Sequence, residues 1–440
     1  MSGCRHTLGY LMALLFLIAL GGGAYLFLND LDGPQIVMIP DTGRISPHQD
    51  IQVTLSDAKH DIRSITVSVR KREDALVVFE RGFTSASPIQ KVTFNLKNTG
   101  LRDGPFQLEI KARDTALAGF GSGNVTTKVW DMHLDTRPPS IKVRTTAPAL
   151  RRGSVTAIAY ALSEEVDTTG IRLGEMFFPA FRQANGLYYC FFAFPLKYSL
   201  EAFTPEIVAR DLAGNVTRTR VIVNAMERAY RSDTLTISDR FLDTKMPAFT
   251  ALVPTASTNL ERYVKMNNEV RADNEKTLLE IGRRTAPNIL WSGAFQRLPR
   301  SAVKANFGDN RTYMYNGQKI DHQTHMGLDL ASVAHAPIPA ANDGTVVFAE
   351  PLGIYGNLVV VDHGLGLQTL YSHLSEIMVQ VGDVVKKGDT LGRTGTTGLA
   401  GGDHLHFGVM LAGIEVQPID WFDKKWIKNT ITDRLAAASR

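Results

Sequence analysis

The chain has 440 residues, 44% hydrophobic and 21% charged, with a formal net charge of +4. That length supports several apolar cores, and so thin a basic excess gives no mark of nucleic-acid binding. Two cysteines, Cys4 and Cys190, exclude a disulfide-built scaffold.

Residues 8–28 contain no charged side chain, enough to span a hydrocarbon core of about 30 Å. Arg5 precedes the stretch, and Asp30 and Asp32 follow it. The positive-inside rule then predicts a cytoplasmic N-terminus with the rest outside. The run exceeds the roughly 7–15 apolar residues of a secretory signal and stays apolar past Gly21-Gly-Gly23, which favours an uncleaved anchor. Residues 1–33 are therefore expected to be a cytoplasmic stub and one transmembrane helix. The expected location is a bacterial inner membrane, with the bulk of the chain periplasmic. Cys4 and Cys190 would lie on opposite sides, so no disulfide joins them. Cys190, inside Leu187-Tyr-Tyr-Cys-Phe-Phe192, reads as core packing.

From residue 34 to about 228 short alternating stretches recur: Ile51–Leu55, Ile65–Val69, Phe106–Ile110 and Arg220–Val223. Period-two alternation between Gly, Asp and Asn turns predicts antiparallel sandwich strands. One motif repeats: Ala112-Arg-Asp114 precedes Ser122-Gly-Asn-Val-Thr126, and Ala209-Arg-Asp211 precedes Ala213-Gly-Asn-Val-Thr217. A spacing of about one hundred residues suits a sandwich domain. These modules resemble bacterial Ig-like domains, expected over 34–138 and 139–228 with Leu134–Pro139 at the boundary. Their simplest role is a spacer; a wall-binding, adhesion or scaffold arm is the alternative. The Asn-x-Thr triplets read as turn residues.

Residues 229–304 read as a helical linker or strap. Thr258-Asn-Leu-Glu261 has capping-box form, and Leu260, Val264, Asn267, Val270, Asn274, Leu278 and Ile281 recur at helical steps. A helix of about seven turns to Arg284 is predicted, stopped before Pro287. Its two asparagines and its charges suit packing against neighbours rather than a free coiled coil. A position over the functional cleft is conceivable, though nothing in the sequence demands it.

Seven of the eleven histidines fall between His322 and His406. His325-Met-Gly-Leu-Asp329 and His404-Leu-His406 supply imidazole and carboxylate ligands suited to a borderline-soft divalent metal, and His373 lies between them. On a strand, His404 and His406 share a face with Leu405 opposite. Gly327 is expected to let the backbone turn so that His325 and Asp329 converge. Gly344–Phe348, Leu358–Asp362, Leu367–Tyr371 and His404–Met410 read as strands. Gly398–Gly402 lacks the Lys-Ser/Thr ending of a phosphate loop and reads as a flexible wall beside His404. His322, His335 and His363 read as structural, and Asp403 is a candidate acceptor for a neighbouring histidine.

From about Ala305 to Asp423 the chain resembles the M23 zinc peptidases, the lysostaphin and LytM-like endopeptidases. The resemblance rests on His325–Leu330, Ala340–Val346, Gly356–Gly364, Thr369–Leu374, Val381–Gly388 and Gly398–Phe407. It implies an antiparallel β peptidase domain at 305–425 before a tail at 426–440; with the N-terminal transmembrane helix, two β-sandwich modules and helical linker read above, the expected architecture is mainly β. The resemblance implies one zinc ion held by His325, Asp329 and His406, with His373 and His404 as catalytic histidines sharing general-base and oxyanion roles. Peptidoglycan is the implied partner, hydrolysed at its peptide cross-links by metal-activated water. The alternative is a LytM-like regulator that activates a separate cell-wall hydrolase; the intact five-residue set argues against it. No His-Glu-x-x-His is present, which excludes the helix-borne arrangement.

Overall fold

Strand Ile51–Ser56 buries Ile51, Val53 and Leu55 and exposes Gln52, the period-two pattern written in its sequence. It is the centre of a three-stranded sheet between Gln35–Ile39 and Ile89–Phe94. A five-stranded sheet runs Gly43–Ile45, Val125–Leu134, Gly104–Asp114, Ile62–Lys71, Asp74–Gly82. Both sheets contribute to one core, including Ile65, Val67, Leu108 and Ile110, so the module is a β-sandwich. The structure, a computed structural model, describes all residues except 1–2, 29–31, 42, 72–73, 117–120, 146–148 and 439–440. It divides into two compact units, residues 1–138 with 210–216, and residues 139–209 with 217–440.

Residues Gly3–Leu28 form one helix. Among the described residues, however, no helix is long and apolar enough to cross a membrane, so the structure does not support the expected anchor. Asp30 and the Cys4 side chain, which entered that expectation, lie outside the described residues.

The repeated motif folds the same way twice. Asp114 and Asp211 are both buried. Asp114 Oδ1 accepts the backbone N–H of Ala116 and Asn124, and its Oδ2 accepts from Asn124 Nδ2. Asp211 receives the matching bonds from Ala213 and Asn215. Each asparagine also reaches a backbone carbonyl, of Asp32 and Asp135 respectively. The triplets are turn locks, which satisfies the buried carboxylates.

In the second module seven strands pair in the order Val216–Arg220, Glu206–Asp211, Val166–Leu173, Met176–Arg182, Tyr188–Ala193, Val155–Leu162, Ile141–Val143, and Leu150–Arg151 pairs separately with Ala225–Met226. Arg220–Val223 is not the expected strand, because pairing stops at Arg220. Phe191, Phe192 and Phe194 pack in one continuous core with Leu328, Leu405 and Trp421 of the peptidase region. Residues Lys424–Ala438 are helical, and Ile427, Ile431 and Leu435 are buried in that core. Cys190 is fully buried, and burial pushes its thiol above the ordinary range.

The linker is only partly helical. Ser232–Thr236 is a strand parallel to Asn310–Tyr315. The predicted helix appears as Asn259–Lys265 and Arg271–Gly282 joined by a π-turn at Met266–Val270. Thr258 caps it by accepting the Glu261 N–H, and Glu261 Oε2 accepts the Ser257 N–H. The peptidase region is an antiparallel sheet ordered Ala302–Ala305, Leu328–Ala331, Leu405–Leu411, Leu367–Leu374, Gly356–Asp362, Gly344–Leu352, Val384–Val385.

Candidate metal centre

Asp329 and His406 are direct cross-strand partners in the pairing of Leu328–Ala331 with Leu405–Leu411. Register alone therefore sets these two side chains next to one another. His325, just before the first strand, completes a cluster: its Nε2 lies 2.9 Å from Asp329 Oδ1 and 3.0 Å from His406 Nδ1. His406 Nδ1 is 2.9 Å from the same Asp329 oxygen. His325 Nδ1 is 2.8 Å from the Asn306 carbonyl, which can only accept. A neutral His325 thus carries its proton on Nδ1 and aims the Nε2 lone pair at the cluster. Three acceptors converge where a cation belongs. Metal–ligand bonds of about 2.0–2.1 Å would set tetrahedral neighbours about 3.3 Å apart, so this triad fits a zinc-sized ion.

Gly327 acts differently from the expectation. Its φ is not left-handed, but a Cβ there would stand 2.6 Å from His406 Nε2. The glycine makes room for a ligand ring rather than turning the chain.

His373 sits where strand alternation would turn it away. Its neighbour Ser372 pairs with His406, so a regular strand would aim His373 at the opposite face. Instead the register against Gly356–Asp362 slips between Asn357 and Val359, and His373 adopts φ 65°. This left-handed backbone, sparsely populated for a non-glycine residue, returns the ring to the metal face. The His373 and His404 ring centroids lie 5.0 Å apart. His373 Nδ1 is held by the Thr397 carbonyl and His404 Nδ1 by the Gly402 carbonyl, each at 2.8 Å. Both neutral rings therefore leave Nε2 free as an acceptor. His404 Nε2 lies 3.5 Å from Asp329 Oδ1.

Burial alone would raise the Asp329 carboxyl; without metal, the protonated forms of the surrounding rings, through charge on His325 and hydrogen bonds from His325, His404 and His406, hold it well below the usual range. Burial pulls His406 down to about 4 and, with His406 and His404 beside it, pulls His373 well below its ordinary value. Burial also opposes charge on His404, but its hydrogen bond to Asp329 wins and raises it. A neutral His406 and an ionised Asp329 are the forms that bind metal.

The sequence reading missed Arg311. Its Nη2 lies 3.0 Å from Asp329 Oδ2, opposite the oxygen that faces the histidines. The guanidinium thereby fixes which oxygen is free to ligate. Arg311→Ala is expected to weaken zinc affinity by roughly 10–100-fold. Chelator competition measures this, and unchanged affinity would remove Arg311 from the ligand scaffold. No periodicity marks a lone arginine on a strand; only the pairing with Asp329 reveals it.

The remaining histidines are placed elsewhere. His363 is fully buried, bonded to the Asp343 carbonyl and Thr369 Oγ1, and is a structural residue of the core. His335 is exposed; Asp403 accepts from its backbone N–H and from Thr394 Oγ1, and does not orient a site histidine. His322 is exposed.

The cluster opens into a cavity of about 410 Å³, walled on one side by the linker residues Tyr263, Asn267 and Arg271. Behind Tyr355, whose hydroxyl donates to Glu415 Oε1 at 2.9 Å, burial pushes the Glu415 carboxyl up to about 7. The folded state holds that proton more tightly than the unfolded chain, so this residue's stabilisation is greatest below about pH 4.5 and is lost as pH rises through 7. Glu415 is partly exposed, and solvent screening limits the effect to about 1–2 kcal/mol. Glu415→Gln is expected to flatten the fall in melting temperature between pH 5 and 8; an unchanged slope would count against it.

A sheet that presents two histidines, a carboxylate and two further histidines to one cavity defines a metallopeptidase class. Residues 323–418 match the profile of Peptidase family M23, so the chain carries an M23 peptidase domain. The "Peptidoglycan DD-endopeptidase ShyA" of Vibrio cholerae is 34% identical over 123 residues, 27% of this chain and 28% of that protein. The "DD-carboxypeptidase/endopeptidase Mpg" of Neisseria meningitidis is 38% identical over 95 residues, 22% of each chain. The matched part thus spans about a quarter of these relatives' length. A peptidase M23 crystal structure from Pseudomonas aeruginosa is 21% identical, with a TM-score of 0.40, covering 62% of this chain and 94% of that one.

Proposed function

We propose that this protein is a zinc-dependent endopeptidase that hydrolyses the peptide cross-links of peptidoglycan outside the cytoplasmic membrane. The observation that carries this reading is the convergence of His325 Nε2, Asp329 Oδ1 and His406 Nδ1 within 3.0 Å of one another. The names of the relatives support a D,D-peptide bond as the target. His325, Asp329 and His406 would hold the ion. When bound, zinc supplies the Lewis acidity that polarises water and the scissile carbonyl.

The chain's own groups do the rest. Asn306 and Arg311 orient two of the ligands from behind. Of His373 and His404, one takes the water proton at the Nε2 freed by its carbonyl partner, and the other, in its protonated form, donates from Nε2 to the negative carbonyl oxygen. The cavity walls limit water and align an extended peptide. The uncharged stretch at 8–28 supports an anchor in the inner membrane with the enzyme on its outer side. Carbonate extraction of membranes checks the anchor, which release of the protein would refute.

The test of function is peptide release from purified sacculi by zinc-loaded protein. Release that stops on chelation and returns with zinc is expected. No release at full zinc occupancy would overturn the enzyme reading.

A further inference from the structure

Residues 259–282 lie outside the segment that matches family M23, yet they wall the metal cavity. Tyr263, Asn267 and Arg271 are spaced four apart and present to it together. Their helix is fixed at three levels. Asn267, 1% exposed, donates from Nδ2 to Asp321, and its carbonyl accepts from Gln323 Nε2. Farther along, Asn274 Oδ1 accepts the Ile354 N–H. At its end Gly282 meets the turn at Gly413 so closely that a Cβ would stand 2.1 Å from the Gly413 nitrogen. The π-turn at Met266–Val270, a feature often found at functional sites, lies where this face meets the cavity.

Arg271 is the cation of that wall. Its Nε donates to the Asn267 carbonyl and its Nη2 to Asn267 Oδ1, which aims the guanidinium and leaves donors uncommitted. Among the described residues no carboxylate lies within ion-pair distance of it, although Glu415 feels its charge and lines the adjoining cavity with Glu275, whereas Arg311 in the same cavity is taken by Asp329. A second cavity of about 420 Å³ adjoins the first, and the two share Arg271, Gln323, Thr324 and Tyr355. An extended peptide leaving the metal toward that second cavity passes Arg271.

We propose that Arg271 is a carboxylate subsite, so that the enzyme selects peptides carrying a free carboxyl group beside the scissile bond over neutral or amidated ones. This rests on the peptidase reading of the cavity. A planar guanidinium in a half-enclosed site suits a carboxylate, and charge-assisted bonds of this kind are worth tenfold or more in affinity.

The test uses two synthetic D,D-peptides, identical except that the carboxyl group on the C-terminal side of the scissile bond is free in one and amidated in the other. KM and kcat, and dissociation constants by calorimetry, are compared for the full zinc-loaded chain, Arg271→Gln and Arg271→Lys. The wild type is expected to favour the free acid by about tenfold or more in KM and in binding, with little change in kcat. Arg271→Gln should bring the ratio close to one, and Arg271→Lys should retain part of it. An acid-to-amide ratio that is equal in wild type and Arg271→Gln, or absent from the wild type, overturns the proposal. If neither peptide is cut, the peptidase reading fails by itself, and the calorimetric ratio still decides the subsite.

Discussion

His325→Ala is expected to abolish zinc binding and sacculus hydrolysis together, with turnover falling by more than about a thousandfold. Removal of the ring takes away one of three ligands and leaves Asp329 and His406, a pair too few to retain the ion. The informative readout is thermal. In wild type, zinc added in excess of its dissociation constant raises the melting temperature by mass action, because the unfolded chain does not assemble the triad. That rise should vanish in His325→Ala. In metal-free wild type, hydrogen bonds from His325 and His406 help hold the buried Asp329 carboxylate ionised, and the variant loses the first of them. The metal-free variant should therefore melt below metal-free wild type, by the lost contact and the cavity left under Asn306, and the zinc-induced rise is compared within each protein. A zinc-induced rise surviving in the variant, or hydrolysis at wild-type rate, would remove His325 from the site and the enzyme reading with it.

The cluster was legible because its parts are written locally. His-x-His on a strand fixes a common face, and the antiparallel partner needs only one register to bring Asp329 opposite His406. The four strands expected in the peptidase region all form, since alternation and Gly-rich turns are short-range signals. What escaped depends on distant contact. Arg311 has no partner within its own stretch, and its meaning arises only when Asp329 is placed beside it. The shared core of the second module and the peptidase region was not legible, because alternation reports that a strand has one buried face, not which partner completes the core. The strand at Ser232–Thr236 was read into a helical linker for the same reason: its pairing partner is Asn310–Tyr315, almost eighty residues away. At Met266–Val270 the helical stripe was read correctly but the π-turn was not, because one wide turn barely disturbs a three-to-four-residue rhythm.

His373 provides the sharper mechanistic test because strain and chemistry act there in opposite directions. His373→Ala and His404→Ala are each expected to lower turnover by about 10²–10⁴-fold while zinc content stays near that of wild type. If the two rings act as a unit, the double variant should lose little more than the worse single variant. Of these two histidines, His373 alone carries a left-handed backbone, at φ 65°. Alanine inherits that strain, whereas glycine adopts the conformation freely. His373→Gly should therefore be more stable than His373→Ala by about 1 kcal/mol, reversing the usual order of these residues in a strand. Both should be equally inactive. Denaturant melts of the two variants, read beside sacculus turnover and zinc content, separate the contributions. Equal stability would mean that the backbone at this position relaxes once the imidazole is gone, and that the ring itself, held by the Thr397 carbonyl, imposes the bulge. A substantial residual rate in either variant would instead place proton transfer on His404 alone.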